Sequence, residues 1–280
     1  MAILPRKQVH MFCGASGSGK TTLVLQMIHA NETGGSFPVA LDGVAHVNYV
    51  VADRTAEETQ KRADQLDIKN IEIYGISDDT KLPLSMLDRP ELLLRQTLTK
   101  FKKMGDLIVI DPIMLFMEGE GKSYASVARS LIRLSRVAIE NNITLLAIHH
   151  TVKTRTDFTF ARPQDRISGS AAFQGYSGTQ MVLIEGSETQ RDYDDLVVVS
   201  HMSPKEQFRL QRDDAGWFTL QYNNGVDQLK AMLSALTGLL VPKQDLHNKA
   251  AFLGLQPDEV QDALKDLVAD GPKGFYRKLS

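Results

Sequence analysis

A glycine-rich loop near the start of the chain constrains its fold more than any other feature. An apolar run at 9–13 precedes the loop and predicts a buried strand, and a run at 22–28, which starts at the last loop residue, predicts a helix. The loop consists of Gly14, Ala15, Ser16, Gly17, Ser18, Gly19, Lys20, Thr21 and Thr22. Glycines and short side chains let backbone N–H groups point inward at a chain of phosphates, and the start of the following helix adds a favourable dipole. The spacing therefore predicts that residues 14–22 bind a nucleoside triphosphate, with Lys20 on the β- and γ-phosphates and Thr21 on Mg²⁺.

The composition is ordinary for a globular protein of this length. Over 280 residues the hydrophobic fraction is 42% and the charged fraction 24%, which suits one large α/β domain with a small appendage. Cys13 is the single cysteine, and no apolar run has the length of a membrane span, so we expect a soluble, cytoplasmic protein. The net charge of −2 gives no overall attraction for nucleic acid, and any such binding must come from a local basic patch.

Strands and helices alternate along the first half of the chain. The pattern predicts strands at 9–13, 44–52, 70–74, 106–110 and 143–148, and helices at 22–28, 55–66, 90–104 and 123–142. Such alternation is typical of a parallel sheet covered by helices on both faces. Short strands close together in sequence follow, at 181–184, 196–200, 207–210 and 217–222. We therefore predict an α/β fold, with a mostly parallel sheet and an antiparallel extension.

A turn at Asn223-Asn224-Gly225 marks the predicted boundary between a large domain, 1–224, and a small C-terminal module, 225–280. Helices at 228–236, 243–253 and 257–269, with a strand or wing at 275–279, predict a winged-helix-like module. This module carries seven Lys/Arg and seven Asp/Glu. Because DNA affinity depends on cations that neutralise phosphates, contact with a protein partner is the better expectation for its acidic third helix. Any DNA contact there would fall to Lys273, Arg277 and Lys278.

Two aspartates follow predicted strands at the edge of the sheet where ligands of open α/β folds gather. Asp111 ends the apolar run Leu107-Ile108-Val109-Ile110, and an acid in that position can hold the Mg²⁺ shell. Asp53 ends the second strand and can activate the attacking water as a general base. The alternative for Asp53 is a solvated strand-end charge or an ion pair with Arg54.

Polar residues also follow the strand predicted at 143–148. His149 and His150 stand there in tandem, and His150 is the better candidate to sense the γ-phosphate, although a structural role is the alternative. The loop that follows combines two phenylalanines with four cations, Lys153, Arg155, Arg162 and Arg166. Cations interleaved with aromatic rings suit single-stranded DNA, by phosphate contact and base stacking; a disordered surface loop is the alternative.

The order of these motifs resembles that of a known family. The phosphate loop, Tyr49-Val50-Val51-Ala52-Asp53, Leu107-Ile108-Val109-Ile110-Asp111 and His149-His150-Thr151-Val152-Lys153 are similar to the motifs of RecA-like P-loop ATPases of the RepA/DnaB type, the hexameric replicative helicases of plasmids and phages. The resemblance covers about residues 5–222. It implies a RecA-like core, a homo-oligomeric hexameric ring with ATP at the subunit interfaces, and Asp53 in place of the family's catalytic glutamate.

One stretch departs from the family pattern. Members of the family carry Lys-x-Arg on a late strand that enters the neighbouring subunit's site, whereas here the equivalent stretch is Ser200-His201-Met202-Ser203-Pro204-Lys205. Lys205 or Arg209 can substitute from a few residues away. Since an arginine finger contributes about 10³–10⁵ in rate, a chain without a substitute would be a slow ATPase.

These features together predict an ATP- and Mg²⁺-dependent RecA-like motor that acts on single-stranded DNA, a replicative DNA helicase of a plasmid, phage or integrated element. A RecA-like recombinase, or a loader that uses ATP as a switch without translocation, is the first alternative. A small-molecule phosphotransferase is the second, and it would need an arginine-rich lid that is distinct from the loop at 153–166. Stimulation of hydrolysis by single-stranded DNA distinguishes the motor and its first alternative from the phosphotransferase.

Overall fold

The computed structural model describes residues 4–35, 37–41, 43–52, 55–76, 89–117, 123–151, 171–186, 193–200, 205–221, 240–243, 260, 264, 268–270 and 275–278. Nine strands form one sheet in the order β3-β2-β4-β5-β1-β6-β7-β8-β9. The strands are β1 Val9–Gly14, β2 Val47–Val51, β3 Ile71–Gly75, β4 Leu107–Asp111, β5 Thr144–His150, β6 Thr179–Ile184, β7 Asp194–Ser200, β8 Glu206–Arg212 and β9 Phe218–Gln221.

The strands from β3 to β6 across the sheet are parallel, and β6 to β9 are antiparallel. A mostly parallel sheet with an antiparallel extension was predicted, and the structure confirms it. The parallel strands are nearly continuous apolar runs because both faces of the sheet are covered.

Helices cover the two faces of the sheet. They are α1 Lys20–Glu32, α2 Ala56–Gln65, α3 Pro90–Leu98, α4 Tyr124–Glu140 and α5 Ala172–Tyr176, with a 3-10 turn at Ile113–Phe116. One buried cluster joins α1 and α2 to side chains such as Phe12, Tyr49 and Met181 on one face. A second joins α3, α4 and α5 to the opposite face. The sheet is therefore the middle layer of three.

The predicted helix at 90–104 is shorter in the structure, since α3 ends at Leu98. Beyond it, tertiary partners bind backbone amides that a longer helix would have used. Glu72 accepts from the amide of Lys102 at 3.2 Å, and Asn48 accepts from the amide of Gly105 at 2.6 Å. Neither α5 nor the 3-10 turn was predicted, because both are too short to show a period.

The C-terminal region contains a three-stranded antiparallel sheet within its described residues, β10 Leu240–Pro242, β12 Phe275–Lys278 and β11 Val268–Asp270 in that order. The predicted strand at 275–279 is confirmed over β12. The predicted helix at 257–269 is wrong at its end, because Val268 and Ala269 pair with β12 as a strand. The helices predicted at 228–236 and 243–253 lie almost wholly outside the described residues, so the winged-helix-like module and the boundary at 224/225 stay predictions.

Candidate nucleotide-binding site

The phosphate loop joins the last residue of β1, Gly14, to the first residue of α1, Lys20. Gly17 and Gly19 have φ angles of 82° and 87°, the left-handed region that other residues adopt only with strain. The amide of Ser18 donates to the carbonyl of Ala15 at 3.2 Å, and the amide of Leu23 donates to the carbonyl of Gly19 at 2.9 Å. These bonds close the loop into a compact turn at the start of α1.

Lys20 lies inside this turn. Its side chain is buried, with a relative exposure of 6% for the residue. The ammonium Nζ donates to the carbonyl of Gly14 at 3.0 Å and to the carbonyl of Ala15 at 2.6 Å. A cation that is held by backbone carbonyls at the centre of the loop is positioned to meet the phosphates of a nucleotide.

Thr21 and Asp111, which the sequence predicts to bind Mg²⁺, meet at the edge of the sheet. The hydroxyl of Thr21 donates to Oδ2 of Asp111 at 2.8 Å. The hydroxyl of the fully buried Tyr49 donates to the same oxygen at 2.8 Å. Hydroxyl and carboxylate oxygens are the hard ligands that Mg²⁺ prefers, so these residues fit the ion. Within the described part of the chain, no three His, Cys, Asp or Glu side chains form a metal-binding group.

Of the other residues predicted for catalysis at the strand ends, His150 lies within the described residues and Asp53 does not. His150 ends β5, half-buried, and its Cα is the register partner of Gly14. The amide of Thr151 donates to the carbonyl of Gly14 at 3.1 Å, so the end of β5 adjoins the phosphate loop. Asp53 lies outside the described residues, two positions beyond Val51, which is the register partner of Asp111. Its role stays a prediction.

The predicted finger residues lie on or near β8. Lys205 is exposed just before the strand, and the guanidinium of Arg209 lies 3.8 Å over the ring of Tyr193. No described contact tests a role for either in a neighbouring subunit. The four cations predicted to bind DNA, Lys153, Arg155, Arg162 and Arg166, lie outside the described residues.

Sequence reasoning missed Arg212, a residue of β8 that supports the phosphate loop of its own chain. Its Nη2 donates to the carbonyl of Ser18 at 2.8 Å and to Oδ2 of Asp194 at 2.8 Å. The same nitrogen lies 3.6 Å from a carboxylate oxygen of Glu185. Arg212 and Ser18 are 194 positions apart, and no local sequence signal connects them.

Cys13 lies in β1 directly before the loop and is fully buried. Burial raises the pKa of its thiol to about 12, against the opposing effect of the Lys20 charge. The thiol is therefore neutral at physiological pH and contributes to packing.

No helix in the described ranges is long and apolar enough to span a bilayer.

No curated protein sequence is significantly similar to this chain. Among solved structures, the chain is similar to one described as "The Structure Of A DnaB-Like Replicative Helicase And Its Interactions With Primase", with a TM-score of 0.55 and 13% identity. The match covers 76% of this chain but only 59% of that helicase chain. At this identity the likeness shows the fold alone. The fold of this chain is thus similar to that of this DnaB-like helicase, as the resemblance of the motifs implied.

The family profile gives the assignment that the fold alone does not. The profile of an AAA domain, AAA_25, matches residues 1–156, more than half of the 280-residue chain. This span includes β1 to β5, the phosphate loop and Asp111. The chain belongs to this AAA domain family.

Proposed function

We propose that this chain is an ATP- and Mg²⁺-dependent motor that acts on single-stranded DNA, a replicative DNA helicase. The observation that best supports ATP and Mg²⁺ is the 2.8 Å contact between the hydroxyl of Thr21 and the carboxylate of Asp111, next to the buried ammonium of Lys20. This arrangement places two hard oxygen ligands and one cation at the mouth of a glycine-rich turn. The helicase assignment rests on the motif order and on the DnaB-like fold.

Each residue of the proposed site has a distinct task. The backbone amides of the loop and the ammonium of Lys20 bind the triphosphate and orient it for in-line attack by water. Thr21 and Asp111 hold Mg²⁺, which when bound neutralises charge that develops on the phosphate oxygens. Asp53 accepts a proton from the attacking water as general base. His150, next to Gly14 in the sheet register, transmits the state of the γ-phosphate to the loop at 153–166.

The proposed site is completed by a neighbouring copy of the chain in a hexameric ring. Lys205 or Arg209 supplies the finger in that arrangement. In the C-terminal module, 225–280, seven cations are balanced by seven acids, which gives little attraction for DNA. Its predicted acidic third helix contacts a protein partner instead. Single-stranded DNA binds the cations of the loop at 153–166.

The experiment that tests this proposal measures ATP hydrolysis and strand displacement by the full chain with and without single-stranded DNA. We expect DNA to stimulate hydrolysis, and we expect Arg162→Ala/Arg166→Ala to remove the stimulation while leaving hydrolysis without DNA intact. The pair Arg129→Ala/Arg136→Ala, on the exposed side of α4, is the matched control. A rate of ATP hydrolysis that does not change when single-stranded DNA is added would contradict the proposed motor and favour a phosphotransferase.

The altered sequence at 200–205 favours one alternative function. Without the family's Lys-x-Arg, turnover can be slow enough for ATP to act as an assembly switch, as in a recombinase or a loader. In that case DNA would stimulate hydrolysis, but the chain would displace no strand from a forked duplex.

A further inference from the structure

A polar cleft of about 460 Å³ opens beside the phosphate loop. Its walls come from the first turn of α1, from α2, and from the turn between β8 and β9. The lining side chains that matter here are Thr22, Glu58, Lys61, Arg62, Gln65 and Trp217. The cleft is large enough for the base and sugar of a nucleotide.

Thr22 connects this cleft to the phosphate loop. It directly follows Thr21, whose hydroxyl donates to Asp111. Thr22 is itself buried, with a relative exposure of 5%. Its hydroxyl oxygen accepts a hydrogen bond from Nη1 of Arg62 at 2.7 Å. The guanidinium on α2 is therefore held against the first turn of α1, where a triphosphate bound in the loop would continue into its nucleoside.

Trp217 is positioned on the opposite wall by contacts on both sides of it in the chain. The amide of Trp217 donates to the carboxylate of Asp213, which precedes it in the chain, at 2.9 Å. The carbonyl of Trp217 accepts from the amide of Asp213 at 2.9 Å. After it, the backbone of Phe218 exchanges two hydrogen bonds with the side-chain amide of Gln26, at 2.9 and 3.0 Å. Gln26 is one helical turn beyond Thr22. The backbone that carries the half-buried indole is thus held against α1 before any ligand binds.

We propose that this cleft binds the nucleobase of the nucleoside triphosphate, with Trp217 as its stacking surface and Arg62 as a second planar contact. The proposal rests on the proposed nucleotide function of the phosphate loop. Stacking on an aromatic ring or a guanidinium tolerates every base, since each base has a π-face. Glu58, Lys61 and Gln65 are exposed residues of α2, and exposed side chains discriminate poorly between base edges. The cleft therefore binds ATP and GTP with affinities within about tenfold of each other.

The chain carries a built-in reporter for this site, because Trp217 is its single tryptophan. The experiment titrates the full chain with Mg-ATP, Mg-GTP and magnesium tripolyphosphate while recording tryptophan emission. Calorimetry measures the dissociation constants in parallel. We expect both nucleotides to change the emission with saturation, and tripolyphosphate to bind in competition with ATP while leaving the emission nearly unchanged.

Variants separate stacking from a merely structural role. Trp217→Ala should raise the Kd for ATP roughly tenfold, the scale of one lost base–aromatic stack, while the Kd for tripolyphosphate stays the same. Trp217→Phe should retain most of the ATP affinity. Tyr176→Ala, which removes an aromatic side chain that is 40% exposed on α5, is the matched control and should change neither constant.

The possible failures are distinguishable. ATP that saturates the chain without changing the emission, or equal weakening of ATP and tripolyphosphate by Trp217→Ala, would overturn the base cleft and leave the phosphate loop assignment intact. Emission that responds to single-stranded DNA or to chain concentration, but not to ATP, would assign the cleft to a DNA base or to a second copy instead. A chain that binds neither ATP nor tripolyphosphate would overturn both this inference and the proposed function.

Discussion

Tyr49 is the residue whose contribution to the proposed metal site is most specific. Its hydroxyl and that of Thr21 both donate to Oδ2 of Asp111, each at 2.8 Å. Two donors on one carboxylate oxygen fix the rotation of the carboxyl group, as outer-shell partners do for ligands in metal sites. Tyr49 is therefore a positioning residue for Asp111.

Replacement of Tyr49 by phenylalanine tests this role. Tyr49→Phe should raise the Mg²⁺ concentration needed for half-maximal hydrolysis several-fold, because Asp111 loses one of the two bonds that orient it. The lost hydrogen bond should also lower the free energy of unfolding by about 1 kcal/mol. Tyr74→Phe, on the edge strand β3, is the matched control. An unchanged Mg²⁺ requirement in Tyr49→Phe would show that the hydroxyl serves packing alone.

His10 makes a pH prediction at the same scale. The residue is fully buried, with Nε2 2.7 Å from the carbonyl of Pro5 and Nδ1 accepting from the amide of Thr179 at 3.1 Å. Burial lowers its pKa from 6.5 to about 4, against a smaller raising effect of the bond to Pro5. The folded state thus needs the neutral ring with its proton on Nε2.

The unfolded chain takes up the proton on His10 near pH 6.5, and the folded chain only near pH 4. Stability from this residue is therefore complete above pH 6.5 and is lost as pH falls toward 4, by roughly 3 kcal/mol in all. Urea unfolding between about pH 8 and pH 4 measures it. His10→Asn should be less stable at the alkaline end and should show a flatter pH dependence. Parallel curves for the two proteins would contradict this role of His10.

The residues that a short motif fixes could be predicted, and those that meet only in the fold could not. Lys20, Thr21 and Asp111 follow from a loop and a strand end that are visible in the sequence. Tyr49 reaches Asp111 across 62 positions and Arg212 reaches Ser18 across 194. Their contacts depend on the strand order, which no local pattern encodes.

At the scale of elements, the phosphate loop and the antiparallel extension pack against each other. A Cβ at Gly19 would lie 2.8 Å from the ring of Phe218 on β9, whereas one at Gly17 would meet nothing within 4 Å. The loop at Gly19 is therefore shaped by its neighbour as well as by its φ angle.

The two glycines form a matched pair for a stability test. Gly17→Ala should cost only the left-handed strain, roughly 1 kcal/mol. Gly19→Ala should cost that strain and about 1–3 kcal/mol more, because the ring of Phe218 must move in a packed core. Thermal unfolding should therefore show a distinctly lower Tm for Gly19→Ala. Equal Tm values would mean that the loop and β9 are not tightly packed.

Elements with a long hydrophobic period or a continuous apolar run were predicted well. All nine strands of the large sheet and α1 to α4 lie within or close to the predicted ranges. The errors occurred where contacts between residues far apart in sequence determine the local structure. The helix α3 ends early because Glu72 and Asn48 bind backbone amides in the segment that follows it. At 257–269 the prediction missed β11, a short strand whose backbone hydrogen bonds are made with β12.

At the scale of the whole molecule, we expect a site shared between copies of the chain. Arg209 and Arg212 lie three positions apart on β8, so their side chains leave opposite faces of the strand. Arg212 contacts the phosphate loop of its own chain, which leaves Arg209, or Lys205, for a neighbouring subunit.

A mixing experiment tests the shared site. Arg209→Ala or Lys205→Ala should lower turnover at least about 10³-fold if that residue is the finger, with the ATP affinity of the isolated subunit nearly unchanged. Mixing that variant with Lys20→Ala subunits should restore part of the activity, since each supplies what the other lacks. Full turnover in both single variants, or in a chain that stays monomeric with ATP and DNA, would contradict the shared site.

Steady-state ATP hydrolysis by the full chain, with and without Mg²⁺ and beside the Lys20→Ala variant, decides whether the phosphate loop is the site of an ATPase. We predict Mg²⁺-dependent hydrolysis that Lys20→Ala abolishes, because this variant removes the buried ammonium held inside the phosphate loop. Lys69→Ala, at an exposed lysine after α2, should hydrolyse ATP like the unaltered chain. Hydrolysis that persists in Lys20→Ala at the unaltered rate would contradict the assignment of this loop as the ATPase site.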